Sequence, residues 1–219
     1  MKKINVITID GPSASGKGAL ARRISNSFGF NILDSGVLYR LYAYLSNMSS
    51  SEDEIANQIE ENVDFKNTKE KLLISFNEKD ITNELRSEKI AKLASEHSSK
   101  KEVRDSLLNI QRSFYVGDGL VADGRDMGTV VFRDAKLKIF LTASPEERAK
   151  RRFIELQNLG QEVNMPDLIA DIEKRDIRDS SRDLSPLLPA EDAYIIDSSD
   201  LTLDEVFSFA ENLIKKEFI

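Results

Sequence analysis

The chain has 219 residues, of which 40% are hydrophobic and 32% charged, enough to bury one substantial core and to carry a small appended module. The lack of cysteine excludes disulfides and thiolate metal sites, and the single histidine, His97, argues against a zinc site or a Ser-His triad. The formal net charge of −7 argues against nucleic-acid binding. Because the sequence has no long apolar run and no cleavable leader pattern, we also expect no membrane span and a cytoplasmic location.

The first predicted elements are a strand, a loop and a helix. Residues 4–9 form a short apolar run, which predicts a buried strand, and the apolar spacing over residues 20–28 predicts a helix with one buried face. Gly29 predicts the end of that helix, and residues 30–33 predict a second strand.

Later segments continue this alternation. Residues 120–123, 137–141 and 194–197 predict further strands, and long helical stretches such as 103–114 and 145–158 separate them. Strands that alternate with helices are typical of a parallel sheet covered on both faces. The sequence therefore predicts an α/β fold with a parallel sheet flanked by helices.

One segment breaks the alternation. Residues 64–81 contain the apolar stretch KLLISF followed by the turn-rich tetrapeptide Asn77-Glu78-Lys79-Asp80 and then Ile81. This order predicts a small antiparallel insert within the larger domain.

A phosphate-binding loop is predicted between the first strand and the first helix. Its spacing of glycine, four residues, glycine and lysine is met by Gly11-Pro12-Ser13-Ala14-Ser15-Gly16-Lys17. The glycines let successive backbone N–H groups turn toward phosphates, the helix N-terminus adds positive potential, and Lys17 reaches the β and γ oxygens. The alternative is a glycine-rich turn with a solvated lysine, which the flanking strand and helix disfavour.

The positions after the lysine depart from the usual loop. Gly18 and Ala19 offer no hydroxyl, so direct metal ligation by this loop is not expected. The Gly-Lys-Gly sequence resembles nucleoside monophosphate kinases, whose loops usually continue with threonine. That resemblance implies that Gly11 through Ala19 bind ATP, and that Mg²⁺ relies on ATP oxygens and water, with Asp123 contributing through water. Alternatively, Asp123-Gly124 is a plain turn at the end of a strand.

Arginine is concentrated in one part of the chain. Eight of the fourteen arginines lie between Arg125 and Arg182. Since guanidinium groups suit phosphate oxygens, this concentration in an acidic protein predicts small, highly charged substrates.

Three segments resemble bacterial cytidylate kinases: LDSGVLYR at residues 33–40, LVADGRDMGTVVF at 120–132 and EKRDIRDSSRDLSPL at 173–187. The insert shares the resemblance, which runs over about residues 4–197. The resemblance implies a P-loop kinase that transfers the γ-phosphoryl group of ATP to CMP or dCMP in pyrimidine nucleotide metabolism. We expect ATP and CMP or dCMP as its small-molecule partners, and a monomer.

The resemblance also implies an acceptor site. It assigns the acceptor's phosphate to Ser35, Arg40 and Arg125, its base to Ser95, Arg104 and Asp126, and its sugar and phosphate to Arg175, Asp179 and Arg182. The base assignment fits cytosine, because its N4 amino group needs an acceptor while N3 and O2 need donors. From the sequence alone, Arg104 would sooner be a solvated helix arginine that pairs with a neighbouring carboxylate; the resemblance reverses that preference.

A helical lid is predicted over residues 146–182, with a glycine-containing break at 158–165. Phosphoryl transfer needs mainly positioning and charge neutralisation, so Lys17, Arg152, Arg175 and Arg178 are the candidate catalytic residues. No general base is needed, because the attacking acceptor oxygen is already anionic. The alternative is that the lid arginines form ordinary ion pairs; the nearby acidic residues are Glu147, Glu155, Glu173 and Asp176.

We therefore predict one P-loop kinase domain over residues 1–219. Its core comprises about 1–62, 98–145 and 183–219, the CMP-binding insert about 63–97 and the lid about 146–182. His97 is assigned a surface or packing position. Two alternatives stay open: a kinase for another nucleoside monophosphate, and a nucleotide-driven switch that transfers no phosphate.

Overall fold

A computed structural model describes residues 3–48, 51–68 and 72–218. In chain order its strands are β1 Ile4–Asp10, β2 Asn31–Asp34, β3 Val63–Asn67, β4 Leu72–Phe76, β5 Lys79–Asp80, β6 Leu120–Gly124, β7 Ala135–Thr142 and β8 Tyr194–Asp197. Its helices are α1 Lys17–Phe28, α2 Ser35–Leu45, α3 Glu52–Asn62, α4 Thr82–Leu85, α5 Glu88–His97, α6 Lys101–Ser113, α7 Pro145–Asn158, α8 Met165–Ser180 and α9 Leu203–Phe218, with a π-helical turn at Met127–Val131.

Five strands form a parallel sheet in the order β2-β6-β1-β7-β8. All five were predicted from their apolar runs, and the α/β fold is confirmed. The register aligns Asp10 with Gly124 and Asp34 with Asp123, so three carboxylates lie at neighbouring carboxyl ends of the sheet. In open parallel sheets ligands bind at this edge.

The sheet is covered on both faces. Val6 of β1 belongs to one apolar cluster with α2, α3 and α6, whereas Ile7 and Ile9 belong to another with α1 and α9. Each of these three side chains is fully buried. Burial on both faces explains why the central strand is apolar throughout instead of alternating with polar residues.

The predicted insert contains a separate antiparallel sheet in the order β3-β4-β5. Asn77 and Glu78 form its tight turn with φ angles of 48° and 65°, while Lys79 and Asp80 pair with β4 and do not extend the turn. The first residue of the stretch KLLISF lies outside the described residues. The buried residues Leu72 and Ile74 join the same apolar cluster as Val6, so the small sheet packs against the main domain.

Helices α7 and α8 form the hairpin at the predicted lid. Ser144 caps α7, where its side chain accepts from the backbone N–H of Glu147, and Gly160 lies in the break with φ 72°. The two helices share a small apolar cluster formed by Ala149, Leu156, Leu168 and Ile172. The hairpin thus has an apolar contact of its own beside the main core.

None of the helices within residues 3–48, 51–68 and 72–218 has the length and apolar composition needed to cross a bilayer.

Candidate active site

The phosphate loop lies between β1 and α1, as predicted. Gly11 has φ 149°, and a Cβ atom there would lie 2.0 Å from the carbonyl oxygen of Leu141, so only glycine fits at this close approach. Helix α1 begins directly after the loop, at Lys17, and its N-cap residue Gly16 makes no side-chain capping bond, so the first backbone N–H groups of the helix suit an anion.

Lys17 begins α1 and is 6% exposed. Its Nζ donates to the carbonyl oxygen of Pro12 at 2.7 Å. Burial, with a further contribution from Arg125, lowers the pKa of Lys17 to about 7, while Asp123 acts in the opposite direction. A phosphate group beside Lys17 would favour its charged form in the same way as a carboxylate does.

Asp123 faces the loop from the end of β6. Burial raises its pKa to about 7, Lys17 opposes that rise, and Asp34 adds to it. A Cβ on Gly18 would lie 3.3 Å from Asp123 Oδ2, so this carboxylate lies next to the position at which many phosphate loops have a hydroxyl. Among the described residues no group of three or more His, Cys, Asp or Glu side chains could hold a metal by itself. These residues fit a magnesium ion that keeps phosphate and water ligands, which is how Mg²⁺ is usually bound.

A cavity of about 470 Å³ opens beside the loop. The structure brings together on its wall Asp123 and all nine residues predicted for the acceptor: Ser35, Arg40, Ser95, Arg104, Arg125, Asp126, Arg175, Asp179 and Arg182. The predicted ATP-binding residues on the same wall are Ser13, Ala14, Gly16, Lys17, Gly18 and Ala19. The remaining loop residues Gly11, Pro12 and Ser15 do not line the cavity.

Arg104 and Asp126 form an ion pair at this wall. The Arg104 guanidinium donates to Asp126 Oδ2 and also, at 3.0 Å, to the carbonyl oxygen of Ser98. Burial raises the pKa of Asp126, whereas Arg104 lowers it. The ring of Tyr39 lies beneath the guanidinium, 5.8 Å from centroid to carbon. Arg104 is therefore not the solvated helix residue that its local sequence favours.

Asp179 joins three arginines at the other side of the cavity. Arg125 Nε donates to its Oδ2 at 3.0 Å, Arg182 donates to its Oδ1, and Arg175 Nε lies 3.9 Å away. Although burial acts to raise it, these arginines hold the pKa of Asp179 below its ordinary value. The buried Nε atoms of Arg175 and Arg182 have no hydrogen-bond acceptor among the described residues. The Asp179 carboxylate thus lies among three guanidinium groups, two of which have an Nε–H donor with no acceptor among the described residues.

Ser35 and Arg40 project from α2. Ser35 Oγ accepts a hydrogen bond of 2.8 Å from Nε2 of Gln111 on α6, and both side chains are buried. Arg40 donates to the carbonyl oxygen of Leu85 at 2.7 Å. Burial and the nearby Arg152 lower the pKa of Arg40.

The predicted lid arginines are placed differently from one another. Arg175 lines the cavity, and its Nη1 lies 3.3 Å from Ser13 Oγ of the phosphate loop. Arg178 does not line it but donates at 3.1 Å to Ser95 Oγ, which does. Arg152 lies outside the lining and is paired with Glu88 and Glu155.

Three residues at the site were not predicted as site residues, although Arg151 belongs to the concentration of arginines noted in the sequence. Arg151 lines the cavity and donates at 3.2 Å to the carbonyl oxygen of Ser15. Gln111 and Asp10 are buried and bond to site segments that are distant in sequence. A Gln or Asp within an apolar run is weak evidence for a functional residue, and its role becomes visible only when its hydrogen-bond partners are known. His97 packs edge-on against Tyr42 at 5.2 Å, in agreement with a packing position.

Two groups of donors that suit phosphate lie at this cavity: the phosphate loop with Lys17, and the arginines around Asp179. On this sheet, such a site defines a P-loop phosphotransferase.

Comparisons with known proteins identify the family. The family model described as cytidylate kinase matches residues 7–216. Cytidylate kinases of Photorhabdus laumondii and Cupriavidus necator are 44% and 46% identical over 96% and 94% of this chain, and over 95% and 93% of their own lengths. That of Acinetobacter baylyi is 42% identical over 96% of each chain. A solved structure from Thermus thermophilus, 16% identical, has a TM-score of 0.50 over 100% of both chains and shows the shared fold. The chain belongs to the cytidylate kinase family and is an ATP-dependent nucleoside monophosphate kinase.

Proposed function

We propose that this kinase transfers the γ-phosphoryl group of ATP to CMP and dCMP, as a monomer in the cytoplasm, with Mg²⁺ accompanying ATP. The observation that carries the acceptor assignment is the Arg104–Asp126 pair at the cavity wall. Cytosine needs an acceptor for its N4 amino group and donors for N3 and O2, and this pair offers both. Uracil would direct an oxygen at the Asp126 carboxylate and leave a buried polar group unpaired, at a cost of about 1–3 kcal/mol. Ser95, which lines the same cavity, would be a further polar contact for the base.

The acceptor's phosphate would be bound by Ser35, Arg40 and Arg125. Arg175 and Arg182 would add Nε donors that have no acceptor among the described residues, and Asp179 would accept from a sugar hydroxyl. This arrangement would place an anionic phosphate oxygen opposite Lys17 across the cavity. An anion needs no general base, so the protein's contribution is positioning and charge neutralisation.

The donor would lie on Gly11 through Ala19, with Lys17 at its β and γ oxygens. Mg²⁺, when bound, would neutralise charge on the ATP oxygens, and Asp123 would hold one of its water ligands. Arg175 is already at the cavity, next to Ser13 of the loop. Arg152 and Arg178 would contribute to the transition state after the lid hairpin closes, which requires Arg152 to leave Glu88.

This proposal divides the chain into a core at about 1–62, 98–145 and 183–219, a CMP-binding insert at about 63–97 and a lid at about 146–182. The insert supplies Ser95 to the cavity, and the lid supplies Arg175, Asp179 and Arg182. Acceptor binding therefore depends on all three parts.

The test measures ADP release from ATP and Mg²⁺ with CMP, dCMP, UMP and AMP supplied separately, for the unmodified enzyme and for Asp126→Ala. We expect turnover with CMP and dCMP to exceed that with UMP, and the variant to lose this preference. Asp204→Asn, which changes an exposed carboxylate on α9, serves as the control.

Equal turnover with all four acceptors would refute the cytosine assignment and favour a kinase for another monophosphate. ATP binding with no turnover on any acceptor would favour a nucleotide-driven switch.

A further inference from the structure

Asp10 links the start of the phosphate loop to the turn that follows β6. It is the last residue of β1 and immediately precedes Gly11, the first residue of the phosphate loop. Its side chain is 5% exposed and turns toward the loop that follows β6. Oδ1 accepts from the backbone N–H of Met127 at 2.8 Å, and Oδ2 accepts from that of Gly128 at 2.8 Å.

These two N–H groups open the π-helical turn Met127–Val131. The first N–H groups of any helical turn lack partners within the turn and must be satisfied from outside. Here the partner comes from a strand that is more than a hundred residues away in sequence. Asp126 lies directly before the turn, and its carbonyl oxygen accepts from the N–H of Val130 at 2.8 Å. The position of Asp126 is thus set from both ends of one short turn.

The approach between β1 and the turn leaves no spare room. A Cβ on Gly128 would lie 2.8 Å from Thr8 Oγ1 and 3.3 Å from Asp10 Oδ2. A larger residue at this position would push the turn away from β1. The close approach and the two hydrogen bonds therefore act on the same backbone segment.

The carboxylate form of Asp10 is the one that satisfies both donors. A carboxylate accepts at both oxygens, whereas a carboxamide presents one acceptor and one donor group. Burial raises the pKa of Asp10 to about 7, the two backbone N–H groups oppose that rise, and Asp126 adds to it. A buried carboxylate is costly. The two backbone N–H groups that donate to it explain why Asp10, and not an apolar residue, occupies this position.

We propose that Asp10 is a positioning residue for the acceptor base: it holds the turn that sets Asp126, and thereby couples the start of the phosphate loop to cytosine recognition. Asp10 does not touch the acceptor in this role. The inference rests on the proposed function, because it takes Asp126 as the residue that reads cytosine.

The test is Asp10→Asn, which keeps size and shape and removes one of the two bonds. We expect the KM for CMP to rise about tenfold, the loss typical of one hydrogen bond, and the CMP-over-UMP preference to fall. The KM for ATP should change less than about threefold, because the loop's own N–H groups and Lys17 stay in place. If Asp10 only stabilised the fold, Asp10→Asn would lower the free energy of unfolding and would change the KM for CMP and the KM for ATP by similar factors.

Gly128→Ala provides an independent second variant, since it displaces the same turn while leaving Asp10 intact. Gly128→Ala should also raise the KM for CMP more than the KM for ATP. The double variant should have a KM for CMP little higher than that of the more impaired single variant, because both substitutions act on one segment. The control is Asp204→Asn, an acidic-to-amide change on the exposed face of α9. Urea unfolding of each variant establishes that it is folded, and if Asp10→Asn does not fold, Gly128→Ala carries the test.

Unchanged CMP-over-UMP preference in both variants would overturn the inference, and so would an equal rise of both KM values in Asp10→Asn. A lack of any CMP preference in the unmodified enzyme would instead refute the proposed function. The two failures are therefore distinguishable.

Discussion

Arg125 donates a hydrogen bond of 3.0 Å from Nε to Oδ2 of Asp179, and so joins the loop after β6 to α8. Asp179 is 1% exposed and also pairs with Arg175 and Arg182. Three guanidinium groups would repel one another without this carboxylate. The ion pair therefore maintains the positive wall of the cavity and ties the lid hairpin to the core.

The first prediction concerns stability. Asp179→Asn should lower the free energy of unfolding by about 3 kcal/mol at pH 7, because it leaves buried cations without their partner. The pKa of Asp179 is held below the ordinary value of 3.8, so its stabilising contribution is present above that value. It is lost as the pH falls through the lower pKa of the folded state. Urea unfolding at a series of pH values measures the difference between the two proteins.

The difference should begin to shrink as the pH falls below about 4, where the carboxylate of the unfolded chain takes up a proton, and it should be lost once the pH is below the lower pKa of the folded state. Asp204→Asn removes an exposed ion pair and should have little effect at any pH. A deficit in Asp179→Asn that does not depend on pH would show that packing, not charge, is the cause.

The second prediction compares two lid arginines. Arg175→Ala should reduce kcat about 100-fold, the loss typical when a donor that stabilises transition-state charge is removed. Arg152→Ala should reduce kcat about tenfold, and Glu88→Gln, which removes a competing carboxylate, should keep the activity. Single-turnover kinetics with CMP separates the chemical step from binding.

Arg23→Ala, on α1 and away from the cavity lining, is the control. Full activity of Arg152→Ala would assign this arginine to ion pairs alone, the alternative that its acidic neighbours suggest. Full activity of Arg175→Ala would rule out a role for that residue in the chemical step.

The third prediction concerns the metal. Asp123→Asn should raise the Mg²⁺ concentration for half-maximal activity at least tenfold, because a neutral amide holds a metal-bound water less tightly than a carboxylate does. The KM for CMP should change much less. Titration of activity with Mg²⁺ at saturating CMP measures both effects, and an unchanged Mg²⁺ dependence would remove Asp123 from the metal site.

The fourth prediction concerns Gln111. This buried side chain donates to Ser35 Oγ at 2.8 Å and also bonds the side chain of Tyr39. Gln111→Leu should raise the KM for CMP about tenfold with a smaller change in kcat, because Ser35 loses the bond that orients it. Ser106→Ala, on the same helix, is the control. A fall in kcat together with similar rises in the KM for CMP and the KM for ATP would instead indicate a general packing defect.

Much of the fold could be predicted from local pattern. The five apolar runs of the parallel sheet, the phosphate loop and the insert each have a signature within about twenty residues, since strand burial and turn chemistry are local properties. Pro145–Asn158 was predicted with its observed bounds. The tetrapeptide at 77–80 was only half a turn, because pairing with β4 makes Lys79 and Asp80 a strand.

The site divides in the same way. The position of the phosphate loop and the residue types suited to phosphate could be predicted from the sequence, because glycine spacing and guanidinium chemistry need no tertiary context. Three pairings could not be predicted in this way: Arg104 with Asp126, Asp10 with the backbone of Met127, and Arg152 with Glu88. These partners are 22, 117 and 64 residues apart, and such pairings follow from how strands and helices pack, which no local pattern records.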